Sequence, residues 1–141
     1  MYLLDTNVLS ELRRPDKADA SVAAWAAQVP KPQVFLSAIT ILEIEIGASR
    51  LARRDAVQGG VLRRWIDDAV LPRFADQILP IDTRVAQRCA ALHVPDPRPE
   101  RDAYIAATAL VHGLIIVTRN ARDFAPFGVD VLNPWRLERA P

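Results

Sequence analysis

Short apolar runs alternate along the chain with longer stretches in which apolar positions recur every three or four residues. The runs at 2–4, 34–36, 78–79, 114–118 and 129–132 predict strands, the fourth fully buried and the last at an edge. Between them, 21–29 puts Val22, Trp25, Ala26 and Val29 on one helical face, and 39–54 does the same with Ile41, Ile44, Ala48 and Leu51. Val61, Leu62, Trp65, Ile66 and Ala69 predict a helix over 61–71, set apart by Gly59 and Gly60. Further helices are predicted over 82–94, with Asp82 or Thr83 near its start, and over 101–112, stopped by Gly113. A helix begins around Thr6 to Val8, capped by Thr6 or Asn7, and a short one follows the strand at 114–118 through 120–124. The start of 39–54 is rich in β-branched residues, but strict alternation fails at Leu42 and Glu43, so the helical reading wins.

Strands alternating with longer helices predict an α/β fold with a mostly parallel sheet covered by helices. Without an internal repeat or an interdomain linker, residues 1–141 are expected to form one domain. Half the residues are apolar and only five are glycine, which argues against disorder. The 18 basic and 17 acidic residues nearly cancel, so any nucleic-acid reading must come from a local site. The single Cys89 excludes an internal disulfide and fits a reducing compartment. Asp5 and Asn7 interrupt the first apolar run, and no 18-residue apolar stretch follows. The expectation is a cytoplasmic protein without a signal peptide or membrane span.

Carboxylates recur where a parallel sheet gathers its strand ends. Asp5 follows the first strand, in the zone where such sheets open a crevice, but a carboxylate there equally suits a helix cap. Glu43 lies early in the helix after the second strand, facing either a polar pocket or solvent. Glu45, about 200° further round the helix, cannot share its direction. Asp102 opens the 101–112 helix, where the helix dipole also favours an acid, whereas Asp96 and Glu100 belong to a proline-rich turn. Thr118 stands at a strand tip, and Asn120 with Asp123 resembles an N-cap and its acidic partner. Carboxylates that converge repel one another and resist desolvation unless cations compensate them, and Mg²⁺ or Mn²⁺ among oxygen ligands is suited to phosphodiester hydrolysis. Sequence order alone leaves the convergence open.

The stretches LLDTNVLSEL at 3–12, LSAITILEIEIG at 36–47, RDAYIAATAL at 101–110 and VTRNARDF at 117–124 resemble, in order, the four motifs of PIN-domain toxins of the VapC family, and VLNPW at 131–135 resembles the ending of its FitB-like branch. The resemblance implies a three-layer α/β/α sandwich. It assigns metal-holding and catalytic roles to Asp5, Glu43 and Asp102, and a catalytic or supporting one to Asp123. Thr6, Thr118 and Asn120 would position water or phosphate, and Asn120 stands where many members carry Asp. The implied activity is Mg²⁺- or Mn²⁺-dependent endoribonuclease cleavage of RNA. A VapB- or FitA-like antitoxin is the implied partner, in a homodimer and a toxin–antitoxin hetero-oligomer. An alternative is a catalytically weak partner acting in a repressor complex with a DNA-binding antitoxin. Arg13, Arg14, Arg50 and Arg119 are candidate phosphate contacts, each with an ordinary surface reading beside it. His93 and His112 lack close ligand partners. Trp25, Trp65 and Trp135 are too scattered for a stacking platform, so packing is expected of each.

Overall fold

The computed structural model describes residues 1–137; the last four residues of the span expected as one domain, 138–141, lie outside the described residues. In chain order come β1 (Tyr2–Leu4), α1 (Thr6–Glu11), α2 (Ala20–Gln28), β2 (Val34–Ser37), α3 (Ala38–Arg54), α4 (Ala56–Trp65), α5 (Leu71–Arg73), β3 (Ile78–Leu79), α6 (Thr83–Leu92), α7 (Glu100–His112), β4 (Ile115–Val117), α8 (Ala121–Phe124) and β5 (Val131–Leu132). The strands lie in the order β3-β2-β1-β4-β5, and every pairing is parallel. At the centre, Leu3 of β1 stands opposite Phe35 of β2 and Ile116 of β4.

The period-2 alternation of the strands divides the core in two. Leu3 and Ile116 pack with Val85 and Cys89 of α6 and the buried alanines of α7, while Leu4 and Val117 pack with Val8 of α1, Trp25 of α2 and Ile44 of α3. Helices therefore cover both faces of the sheet, giving the α/β/α arrangement. Ala103, Ala106, Ala107 and Ala109 are fully buried, and their small side chains let α7 lie close against the strands. Trp25 meets Tyr2 edge to face, with ring centroids 5.3 Å apart, as packing rather than as a binding platform.

Three local expectations are corrected. The helix expected over 61–71 starts earlier, at Ala56, where the Asp55 side chain accepts the Gln58 N–H at 3.1 Å, so Gly59 and Gly60 lie inside it. Gly59 is there for close approach: a Cβ would stand 2.4 Å from Cα of Ala52 on α3, so the glycine lets the two helices touch. The helix then widens into a π turn over Ile66–Val70, just ahead of Pro72, which has no N–H to bond the preceding turn. Second, α1 is capped by Asp5 rather than by Thr6 or Asn7. Third, Asn120 makes no side-chain cap to α8, so the expected local capping pair does not form. Elsewhere Ser37 and Asp82 cap α3 and α6, and Gly113, with φ of 66°, ends α7 in the left-handed conformation expected of it. Among the described residues no helix is long and apolar enough to cross a membrane.

Candidate functional site

From β1 the chain moves to β2 on one side, and it returns through α6 and α7 to place β4 on the other side of β1. A parallel sheet whose order reverses in this way opens a crevice past the carboxyl ends of the two strands concerned. Asp5 is the first residue beyond β1 and Thr118 the first beyond β4, and the Asp5 N–H still donates to the Val117 carbonyl at 2.9 Å.

Asp5 is only 7% exposed, so each of its oxygens needs partners. Oδ1 accepts the Thr6 N–H at 2.8 Å; Oδ2 accepts the Thr118 hydroxyl at 2.8 Å and the Asn7 amide at 3.3 Å. The Asn7 amide also reaches Thr118 Oγ1 at 3.3 Å, while Asn7 Oδ1 accepts the Arg119 N–H at 3.2 Å. The Asn120 N–H donates to Thr118 Oγ1 at 3.0 Å. Asn7 thus ties the loop after β1 to the loop after β4. Its amide supplies both the donor and the acceptor that this requires.

Glu43, in the second turn of α3, accepts the Thr6 hydroxyl at 2.8 Å, and Nη1 of Arg101 lies 3.9 Å from its other oxygen. Adjacent Asp102 lies in the first turn of α7, and its side chain makes no hydrogen bond among the described residues. Its carboxyl is pushed up to about 6, first by burial and then by the negative charges of Asp5, Asp123 and Glu43. Asp5 is also held above the usual carboxylate range, because burial outweighs its hydrogen bonds and Asp123 adds repulsion. The elements therefore bring all four acids within electrostatic reach. Asp123 is exposed on α8 and takes part through its charge.

Among the described residues, no three His, Cys, Asp or Glu side chains stand close enough together to hold a metal ion as they are arranged. The donor set nevertheless fits a hard divalent cation in kind: carboxylate oxygens gathered where burial first, and then their mutual repulsion, raises the proton affinity of Asp102, with Arg101 set against Glu43 alone.

Glu45 takes the other side of α3, where Arg63 binds it with Nη2 2.8 Å from Oε1 and also bridges to Asp67 at 2.9 Å. That clamp lowers the Glu45 carboxyl and keeps it away from Asp5. Arg64 and Asp68, four residues apart beside that pair, form no ion pair among the described residues. Arg13 and Arg14 line a separate polar depression with Lys17, Arg50 is exposed on α3, and none of the three forms an ion pair with the carboxylates among the described residues. Arg119 does adjoin them, through its backbone bond to Asn7. His93 is engaged locally, its Nδ1 accepting the Arg98 N–H at 3.0 Å. Two site residues escaped the sequence reading. In the sequence Asn7 reads as a helix cap alone, although an amide two residues after a strand-end acid is a recognisable bridge. Arg101 was masked by its acidic neighbours.

The description "PIN domain" matches residues 2–128. The toxin FitB of Neisseria gonorrhoeae is 38% identical over 140 residues, covering 96% of this chain and 99% of that protein. The VapC ribonuclease Y4jK of Sinorhizobium fredii is 33% identical over 140 residues, covering 96% and 98%. In the solved structure of FitAB bound to an IR36 DNA fragment, one chain superposes with a TM-score of 0.86 at 38% identity, covering 99% of each chain.

Proposed function

Since the chain belongs to the PIN-domain family, with close homology to the FitB and VapC toxins, we infer that it is the toxin of a type II toxin–antitoxin system and a Mg²⁺- or Mn²⁺-dependent endoribonuclease. The observation that carries this reading is the gathering of carboxylates past the ends of β1 and β4: Asp5 just beyond β1, Glu43 of α3 bound to the neighbouring Thr6 hydroxyl, and Asp102 and Asp123 in the first turns of α7 and α8, close enough to act on one another electrostatically. Asp5, Glu43 and Asp102 would hold the ion. When bound, it supplies charge compensation and Lewis acidity for hydrolysis of a phosphodiester.

The surrounding residues set up that chemistry before any substrate arrives. Thr118 and Asn7 fix Oδ2 of Asp5, and Thr6 fixes one oxygen of Glu43. Holding the carboxylates in this way removes much of the ordering entropy that ligand capture would otherwise cost. Asn120, whose side chain makes no hydrogen bond among the described residues, is free to orient water or a phosphate oxygen, and Asp123 supports the negative field from α8.

The partner in this reading is a VapB- or FitA-like antitoxin, supported by the FitAB complex; a homodimer is the proposed assembly, the chain acts as one domain, and the site is cytoplasmic. That complex is bound to DNA, which favours as a second reading a weakly catalytic subunit of a repressor complex. Purified, antitoxin-free protein should be incubated with single-stranded RNA and DNA of one sequence, in Mn²⁺, Mg²⁺ or chelator. Discrete products from RNA alone, lost in chelator, are expected. Folded protein that leaves RNA intact in both ions would overturn the nuclease reading in favour of the repressor one.

A further inference from the structure

Beside the carboxylates, the loop after β4, helix α8 and the turn Pro134–Arg136 enclose a pocket of about 590 Å³. Its lining includes Arg119, Asn120, Arg122, Asp123, Trp135 and Arg136. Three arginines against one acid is a strong local bias in a chain whose formal net charge is only +1. None of the three forms an ion pair among the described residues, so their charge faces the pocket and solvent. Arg119 stacks over Trp135, its guanidinium carbon 5.1 Å from the ring centroid. Trp135 packs against the core, as expected of it, and is also partly exposed where it lines the pocket.

The wall is built rather than incidental. Asn133 Oδ1 accepts the Trp135 N–H at 3.0 Å, and its amide donates to the Arg119 carbonyl at 3.4 Å. From α2, the Ser21 hydroxyl donates to the Pro134 carbonyl at 2.7 Å. The turn carrying Trp135 is thereby tied both to the loop after β4 and to the helical layer. The pocket is also continuous with the carboxylates: Asp123 belongs to both, and Asn120 bonds Thr118, which holds Asp5.

We propose that this pocket is a nucleotide subsite for single-stranded RNA, in which a base stacks on the Arg119–Trp135 pair while Arg122 and Arg136 take the phosphate beside the scissile one. The proposal rests on the ribonuclease reading for its orientation, with the carboxylates next door. A ring and guanidinium together offer a π surface that every base can use without sequence readout. A base in a duplex keeps its faces against its neighbours, so an unpaired strand is the form that fits. An acidic peptide would satisfy the arginines but would leave the stack unused.

The experiment measures binding without cleavage. Full-length protein in chelator is titrated with a single-stranded oligoribonucleotide and with the same strand carrying abasic positions, following tryptophan fluorescence and the anisotropy of a labelled end. The intact strand should quench fluorescence, the abasic strand much less, and Trp135→Phe should abolish the quench because Trp25 is buried in the core and Trp65 lines a different depression, with Leu9 and Phe74. Trp135→Ala should weaken binding by about tenfold, as loss of one stacked base does. Trp135 also packs against the core, so Arg122→Ala with Arg136→Ala gives an independent reading: the salt dependence of log K should flatten by roughly 0.7 for the one phosphate the two arginines share on a single strand. Unchanged quenching in Trp135→Phe, or unchanged affinity and salt slope in the double arginine variant, overturns the subsite. So does an effect confined to antitoxin affinity, which would assign the pocket to a protein partner. Failure of the nuclease reading appears separately, as RNA bound here but not cleaved with added ion; loss of the subsite alone leaves metal-dependent cleavage in place.

Discussion

Asp102→Asn is expected to stabilise the ion-free protein near pH 7.5 and to abolish RNA cleavage. The Asp102 carboxyl lies at about 6 in the folded protein, against an ordinary 3.8, so the folded state binds its proton more tightly than the unfolded state does. Below about pH 4 both states are protonated and the penalty is absent; between about 4 and 6 the unfolded chain releases the proton first, so stability falls as pH rises. Above about 6 the full cost remains, roughly 1–2 kcal/mol once solvent screening of a partly buried group is allowed for. Asparagine removes it. Urea midpoints at pH 5 and 7.5 without divalent ions should show a smaller pH dependence in the variant, with some retained because Asp5 is raised as well. Cleavage should fall on the order of a thousandfold with loss of a charged ligand. A variant less stable than the parent at pH 7.5 would mean that the four acids do not repel as described.

Asp5→Ala should have the opposite effect on stability and the same effect on activity. Asp5 caps α1 and is the acceptor for the Thr118 hydroxyl and the Asn7 amide. Losing an N-cap costs about 1 kcal/mol. Thr118 is fully buried, and a hydroxyl proton left there without an acceptor costs about 1–3 kcal/mol more. Relief of the buried charge offsets part of this, for a net loss of about 2 kcal/mol. Asp5→Asn retains an oxygen for the cap but sets an amide against the Asn7 amide, so its urea midpoint should fall between those of alanine and the parent. Equal midpoints for alanine and parent would show that the acid is not the keystone of the two loops.

The contrast between these acids explains what was legible in the sequence. Apolar periodicity was sufficient for the strands, because Leu3 and Leu4, or Ile116 and Val117, must face opposite layers once the sheet is parallel and covered on both sides. It misplaced the start of α4 because glycines ordinarily break helices, whereas Gly59 is set by contact with Ala52, a tertiary fact without a local signature. The strand-end position of Asp5 was readable, and its capping role leaves its candidacy for the site open, since Oδ1 takes the Thr6 N–H of the cap while Oδ2 reaches across to Thr118. Glu43 and Glu45 were separable by helical angle, and the Arg63 clamp supplies the reason the second is directed elsewhere. The bridging hydrogen bonds of Asn7 had no local signature for their far partner, which lies more than a hundred residues away.

That pair on α3 gives the most direct test of the central claim, that RNA is hydrolysed at the carboxylates gathered past β1 and β4. The rate of cleavage of a single-stranded RNA at saturating Mn²⁺ should be measured for the parent, Glu43→Gln and Glu45→Gln. The account predicts a loss on the order of a hundredfold or more for Glu43→Gln, and a rate within about twofold of the parent for Glu45→Gln, whose partners are exposed charges. Equal rates for the two variants would contradict it, since they differ only in which side of one helix loses its charge.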